Sequence, residues 1–262
     1  YRIFKELMNE AAKPEELMVV LSISTIWSND LNEEIYNDWE IYSEMIKEAL
    51  VASKKSAFVA CDFLSSIDIE YTNMVISEDF FLYHLTELIS NADMSVQCKG
   101  FNTLFHLFDL IPFKIDNFIE KVWGYSKKIK EDQAGKYLQL LSKAIENDRS
   151  FNSDLSTQLA DFVLKFLSNN IIERVVMYDK SFFEVLSNAV DFACILCKYD
   201  EVVHPILEQP LLAIVNLCLG IDDNEILLSC LQILITLSHF GEISENFVSK
   251  IIETMKDRRF TF

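Results

Sequence analysis

Cys194 and Cys197 have two residues between them, the spacing at which a thiol pair can cycle through a disulfide or supply half of a zinc site. A zinc tetrahedron needs a second Cys or His pair at metal spacing, and none follows. Cys61, Cys98, Cys218 and Cys230 lie singly in apolar helical patterns, while His84, His106, His204 and His239 are scattered. All six cysteines therefore read as small, reduced core residues of a cytoplasmic or nuclear protein. The acidic pairs Glu33-Glu34, Glu78-Asp79 and Asp222-Asp223 have the chemistry of acid/base dyads; at predicted helix starts their role is to favour the positive end of the helix dipole. Five dispersed glycines are too few for a phosphate loop, and no nucleophile elbow or metalloprotease helix is present. The expectation is a chain without catalysis, cofactor or metal.

Composition narrows the partners. The 262 residues carry 41 acidic against 23 basic side chains, a net charge of −18. That balance opposes direct binding to nucleic acid, which needs Lys and Arg to displace counterions, and it favours a basic protein or peptide. Half of the residues are hydrophobic, with only 5 Gly and 4 Pro, so a large core is available and β-turn signals are few. The densest apolar stretch, Ile226 to Leu237, is broken by Ser229, Gln232 and Thr236, so no membrane span is expected. Because the first residue is Tyr1 and not Met, the chain reads as a fragment, or as one whose start is missing.

The elements that would position these residues are helices in a repeating order. Leu82 to Leu107 returns in shape, without a gap, as Leu212 to Leu237, and the interval between the copies fits three solenoid repeats of roughly 43 residues each. A Φ-x-x-Φ-Φ stripe marks the inner helices at Ala60/Phe63/Leu64, Phe101/Leu104/Phe105, Tyr137/Leu140/Leu141, Phe192/Ile195/Leu196 and Leu231/Leu234/Ile235, with a weaker match at Val20/Ile23/Ser24. Outer helices are placed near Ile41 to Ala52, Phe80 to Ser90, Phe113 to Ile129, Leu155 to Leu167 and Pro210 to Leu219. Ser77-Glu78-Asp79, Asp154 and Ser244-Glu245-Asn246 supply helix-entry oxygens, and Pro14, Pro112 and Pro210 are assigned to helix starts. An irregular or enlarged repeat is expected around 146–180, where Asn147 to Asp154 is polar and Asn169-Asn170 breaks the pattern. The segment Asp30 to Glu48 reads as one amphipathic acidic helix containing Trp39, and Phe101, Phe105, Phe108 and Phe113 read as a core cluster.

Two copies carry a resemblance. Leu85-x-x-Leu88-Ile89-x-x-x-Asp93-x-x-Val96-x-x-x-x-Phe101-x-x-Leu104 and Val215-x-x-Cys218-Leu219-x-x-x-Asp223-x-x-Ile226-x-x-x-x-Leu231-x-x-Leu234 resemble the armadillo repeat. Asn73 to Ile76 and Val203 to Ile206 look like that repeat's short first helix. The resemblance implies an all-α, right-handed superhelical solenoid of five or six armadillo/HEAT-like repeats spanning 1–262 as a single body. It also implies a protein-binding role, since armadillo proteins include importin-alpha-type adaptors, catenin-like scaffolds, formin regulatory domains and some chaperone exchange factors. Fold alone does not choose among them.

Importin-alpha-like proteins use a W-x-x-x-N pattern on successive inner helices. Mapped here, the indole position falls at Leu21, Cys61, Asn102, Leu138, Ala193 and Gln232, and the asparagine position at Thr25, Ser65, His106, Ser142, Cys197 and Thr236. None is Trp or Asn at its required place, so a classical basic-signal receptor is disfavoured. The strongest repeats nominate Asn102, His106, Gln232 and Thr236 as a groove for an extended, possibly basic, peptide. The sequence thus points to a noncatalytic adaptor or scaffold, with a divergent nuclear-transport adaptor, or a regulatory fragment of an enzyme or exchange factor, as alternatives.

Overall fold

A computed structural model describes residues 14–28, 32–111, 114–124, 133–168, 180–218 and 224–239, with 248–249, 252–253 and 256. Among them every regular element is helical, in the order α1 (Pro14–Ile26), α2 (Asn32–Asn37), α3 (Trp39–Ala52), α4 (Lys54–Leu64), α5 (Ile69–Ser77), α6 (Asp79–Ile89), α7 (Met94–Asp109), α8 (Phe118–Gly124), α9 (Ala134–Glu146), α10 (Ser153–Ser168), α11 (Lys180–Tyr199), α12 (His204–Cys218) and α13 (Asn224–Ser238). The expected all-α class is what the structure contains. No helix among the described residues is long and apolar enough to cross a membrane.

The chain forms two compact units, Tyr1–Gln133 with Glu146–Arg149, and Ala134–Ile145 with Ser150–Phe262. In the first unit α4 packs between α1 and α7, while α3 and α6 pack on each other and on the flanks of α4 and α7. In the second, α11 packs on α13 and α10 on α12, with cross-contacts from α10 to α11 and from α12 to α13. The apolar stripes cause this arrangement, because each helix buries one face against its pair and another against the neighbouring pair.

Helix ends follow from local chemistry. Ser53 and Ser56 form a reciprocal capping box at the start of α4, with Ser56 N 3.1 Å from Ser53 Oγ and Ser53 N 2.9 Å from Ser56 Oγ. Asp93 caps α7 by accepting from Ser95 N at 2.9 Å. At α10 the cap is Asn152, whose Oδ1 accepts from Leu155 N at 2.8 Å, and Asp154 lies in the first turn. Asp148 comes from a separate stretch of chain to do the same job at α8. Its buried Oδ2 accepts from Ile119 N at 2.7 Å, while Ile115 N bonds Asn147 O at 2.9 Å and Asn147 Nδ2 bonds Phe108 O at 3.0 Å. These bonds explain why 146–149 belongs to the first unit.

Several expectations need correction. Pro210 lies inside α12, because the helix already begins at His204 behind a 3₁₀ turn at Glu201–Val203. The acidic segment from Asp30 is not one helix: α2 ends at Asn37 and α3 begins at Trp39. Glu78 caps nothing with its side chain, which is engaged by α3 instead. The stripes at Phe101/Leu104/Phe105 and Leu231/Leu234/Ile235 are out of phase with burial. In α7 the buried seam is Gly100, Thr103, Leu104 and Leu107, and in α13 it is Cys230, Ile233, Leu234 and Leu237, because small and β-branched residues fit the gap between helices. Phe108 is core and packs edge-on to Phe118 at 5.0 Å, whereas Phe101 and Phe105 are half-buried. Pro112, Phe113, Asn169-Asn170, Asp222-Asp223 and Ser244 to Phe247 lie outside the described residues, as do 125–132 of the outer helix expected from Phe113 and most of 169–180 in the enlarged repeat.

Helices α6 and α7 approach closely at Gly100, where an added Cβ would sit 2.6 Å from Leu88 Cβ and 3.1 Å from Leu85 O. The α6 backbone and the Cβ of half-buried Leu88, neither of which is the far end of a flexible side chain, leave it no room. Gly100→Ala is expected to destabilise the protein by about 1–3 kcal/mol in urea unfolding, as overpacked cores do. At Gly124, where a Cβ meets nothing within 4 Å, the same change should be neutral or slightly stabilising.

Candidate protein-binding surface

In the first unit α4 and α7 are tied side by side. Lys99 pairs with Asp62 and Lys54 with Asp93. Thr103 Oγ1 lies 3.4 Å from Ser65 Oγ and 3.5 Å from Cys61 O. The Lys54 ammonium, with help from Ser95, holds the Asp93 carboxyl well below the usual carboxylate range. One turn apart on the outward face of α7, Asn102 and His106 are both exposed.

Gln232 and Thr236 have a different setting in the second unit. Gln232 is exposed and hydrogen-bonds the half-buried carboxylate of Asp191, and the half-buried Thr236 bonds the buried thiol of Cys194. Ser187 Oγ lies 3.3 Å from Ser229 Oγ, and Gln139 Nε2 donates to Asn188 Oδ1 at 2.8 Å. The Ser187–Ser229 and Gln139–Asn188 contacts tie α11 to α13 and α9, and Gln232 and Thr236 lie beside Asp191 and Cys194 of their own unit.

The other mapped positions explain the missing W-x-x-x-N pattern. Leu21, Cys61, Leu138 and Ala193 are fully buried, so an indole at any of them would have to enter the core. The hydroxyls of Thr25, Ser65 and Ser142 donate back to the carbonyls of Leu21, Cys61 and Leu138 at 2.8, 2.8 and 3.0 Å. Such bonds occupy the hydroxyls on their own helix.

Two constellations were not legible in the sequence. Glu78 is met from α3 by Trp39 Nε1 at 3.3 Å, Ser43 Oγ at 3.1 Å and Lys47 Nζ at 3.1 Å, while the Lys47 ammonium also lies over the rings of Phe80 and Phe81. Trp39 is only 8% exposed, so it belongs to the core and not to a docking face. The spacing of Trp39, Ser43 and Lys47 places them on one side of a helix, but only folding brings Glu78 there. On α6, Tyr83 Oη donates to Glu87 Oε1 at 2.6 Å, and His84 Nδ1 lies 3.4 Å from Glu87 Oε2 against the ring of Phe80.

The six cysteines are thiols outside any disulfide. Burial pushes the thiols of Cys61 and Cys194 up to about 11 and that of Cys197 up to about 12, which suppresses the thiolate that redox or metal chemistry uses. A hydrogen bond from Cys230 lowers that of Cys218. No group of three or more His, Cys, Asp or Glu side chains among the described residues is arranged to hold a metal. No protein-family model, curated protein or solved structure matches this chain.

Two measurements check these environments. Iodoacetamide at neutral pH should spare Cys61, Cys194 and Cys197 in the native protein and modify them after unfolding. Asp191 ionises at its ordinary value of 3.8 in the unfolded chain, and burial raises it in the folded one. Ionised Asp191 therefore costs stability, and the cost grows as pH rises from 3.8 through the folded value. Asp191→Asn should raise the urea midpoint at pH 7, and the gain should shrink to nothing as pH falls towards 3.8.

Proposed function

We propose that this chain is a noncatalytic adaptor or scaffold that binds another protein, using the inner-layer face of an armadillo/HEAT-like right-handed solenoid. The observation that carries the reading is the exposed pair Asn102 and His106 on α7, set beside ion pairs that hold α7 against α4. An amide and an imidazole one turn apart can exchange hydrogen bonds with the backbone of an extended peptide. The net charge of −18 favours basic residues flanking that peptide. Stacking of helix pairs within each unit supports the repeat reading, because each pair leaves one helix face open beside the next. Largely buried thiols, none in a disulfide, accord with a cytoplasmic or nuclear setting.

Affinity capture from native extract, followed by identification of stoichiometric partners, tests the reading. Asn102→Ala with His106→Ala should weaken the main partner roughly tenfold, about 1.4 kcal/mol, without shifting the urea midpoint, and added salt should weaken it further. Recovery of transport receptors would favour the divergent nuclear-transport adaptor. Unchanged affinity in the double variant, or substrate turnover by the purified chain, would reject the proposal.

A further inference from the structure

On α13, Leu228 and Ile235 are 64% and 61% exposed, although they sit in a helix whose other face is core. Seven residues separate them, with half-buried Leu231 and exposed Gln232 between, so the four lie along one stripe of about two turns, roughly 10 Å. Packing within the second unit leaves this ridge in water while Cys230, Ile233 and Leu237 are buried behind it.

Alongside runs α11, and two contacts set its register against the ridge. Ser187 meets Ser229, the neighbour of Leu228, and Asp191 accepts from Gln232, between Leu228 and Ile235. Exposed Glu184 and half-buried Asp191, two turns apart on α11, therefore flank the aliphatic stripe on one side. Lys198 continues α11 beyond Asp191 as an exposed cation. Burial leaves Asp191 incompletely compensated by an amide, and a cation brought by a partner would supply what Gln232 lacks.

We propose that the α11–α13 face of the second unit docks an amphipathic helix with Leu-like residues along one stripe and Lys or Arg beside it. This rests on the protein-binding reading but uses a surface separate from Asn102 and His106. A straight aliphatic ridge next to a row of carboxylates matches the ridges and grooves of a helix better than an extended strand. A second copy of this chain is the wrong occupant, since each copy carries a charge of −18 and the same carboxylates.

The test uses the whole chain and a fluorescently labelled 18-residue Leu/Lys helix, read by anisotropy. Two control peptides accompany it: one of the same composition reordered so that the leucines leave one face, and one with Glu in place of Lys. The Leu/Lys helix should bind at least roughly tenfold more tightly than either control. Leu228→Gln with Ile235→Gln should weaken it roughly tenfold, as loss of anchor residues does. Glu184→Gln with Asp191→Asn should weaken it several-fold and flatten its salt dependence. Asn102→Ala with His106→Ala should leave it unchanged, which separates failure here from failure of the groove reading. Both sets of second-unit variants replace exposed or half-buried side chains, and circular dichroism verifies their fold. Equal binding of the reordered peptide, or unaltered affinity in the Leu228/Ile235 variant, would overturn the proposal. Self-association in sedimentation that the same variant abolishes would overturn it too, in favour of a contact between copies.

Discussion

No long helix of this chain can hide its apolar side alone, and everything else in the structure depends on the neighbour that hides it. A helix such as α4 needs α3 on one flank and both α1 and α7 on others before Ala60, Phe63 and Leu64 leave water. This demand sets how closely backbones approach. At Gly100 the approach is so near that even a methyl group would collide with α6. In the second unit Gly135 plays a milder version of that role, its missing Cβ lying 3.2 Å from Asn188 Nδ2 on α11. Small residues at these seams convert a generally apolar sequence into particular helix pairings.

Polar chemistry is arranged around those seams. Four acids at or near helix starts illustrate the pattern, each held by a group from elsewhere in its unit. Asp93 takes Lys54, Glu78 takes Trp39, Ser43 and Lys47, Asp148 takes the Ile119 amide, and Asp200 takes Ser156. Asp93 and Asp200 also accept from the amides of their own helix ends, Ser95 N and Val202 N, whereas the Glu78 side chain serves only the neighbouring helix. Part of the chain's acidity is therefore structural. The net charge of −18 gives the protein a field that attracts cations and repels further copies of itself.

What remains for function is the surface left after these internal bonds are made. Thr25, Ser65 and Ser142 turn their hydroxyls back onto carbonyls of their own helices, and Gln232 and Thr236 lie beside Asp191 and Cys194 on the helix next to theirs. Asn102 and His106 keep their polar atoms in solvent, and the aliphatic ridge at Leu228 and Ile235 adds an apolar surface of a different kind. The two surfaces belong to separate units and would select differently, one by hydrogen bonds to an extended backbone, the other by burial of a helical stripe.

The sequence by itself determined the helical class, the helices at Trp39–Ala52, Asp79–Ile89 and Ser153–Ser168 to within two residues, and the core placement of most cysteines. Periodicity, caps and composition act locally, so these features are written in consecutive residues. It did not determine which side of a stripe is buried. The apolar count in α7 and α13 marks Phe101, Phe105, Leu231 and Ile235, yet the seams use Gly100, Thr103, Cys230 and Ile233, because fit between helices selects by shape and not by hydropathy. Nor could it show that Asp148 caps α8 from a distant stretch or that Glu78 gathers Trp39, Ser43 and Lys47. Those partners lie 29 to 39 residues apart in the chain, and only tertiary packing brings their atoms within hydrogen-bonding reach.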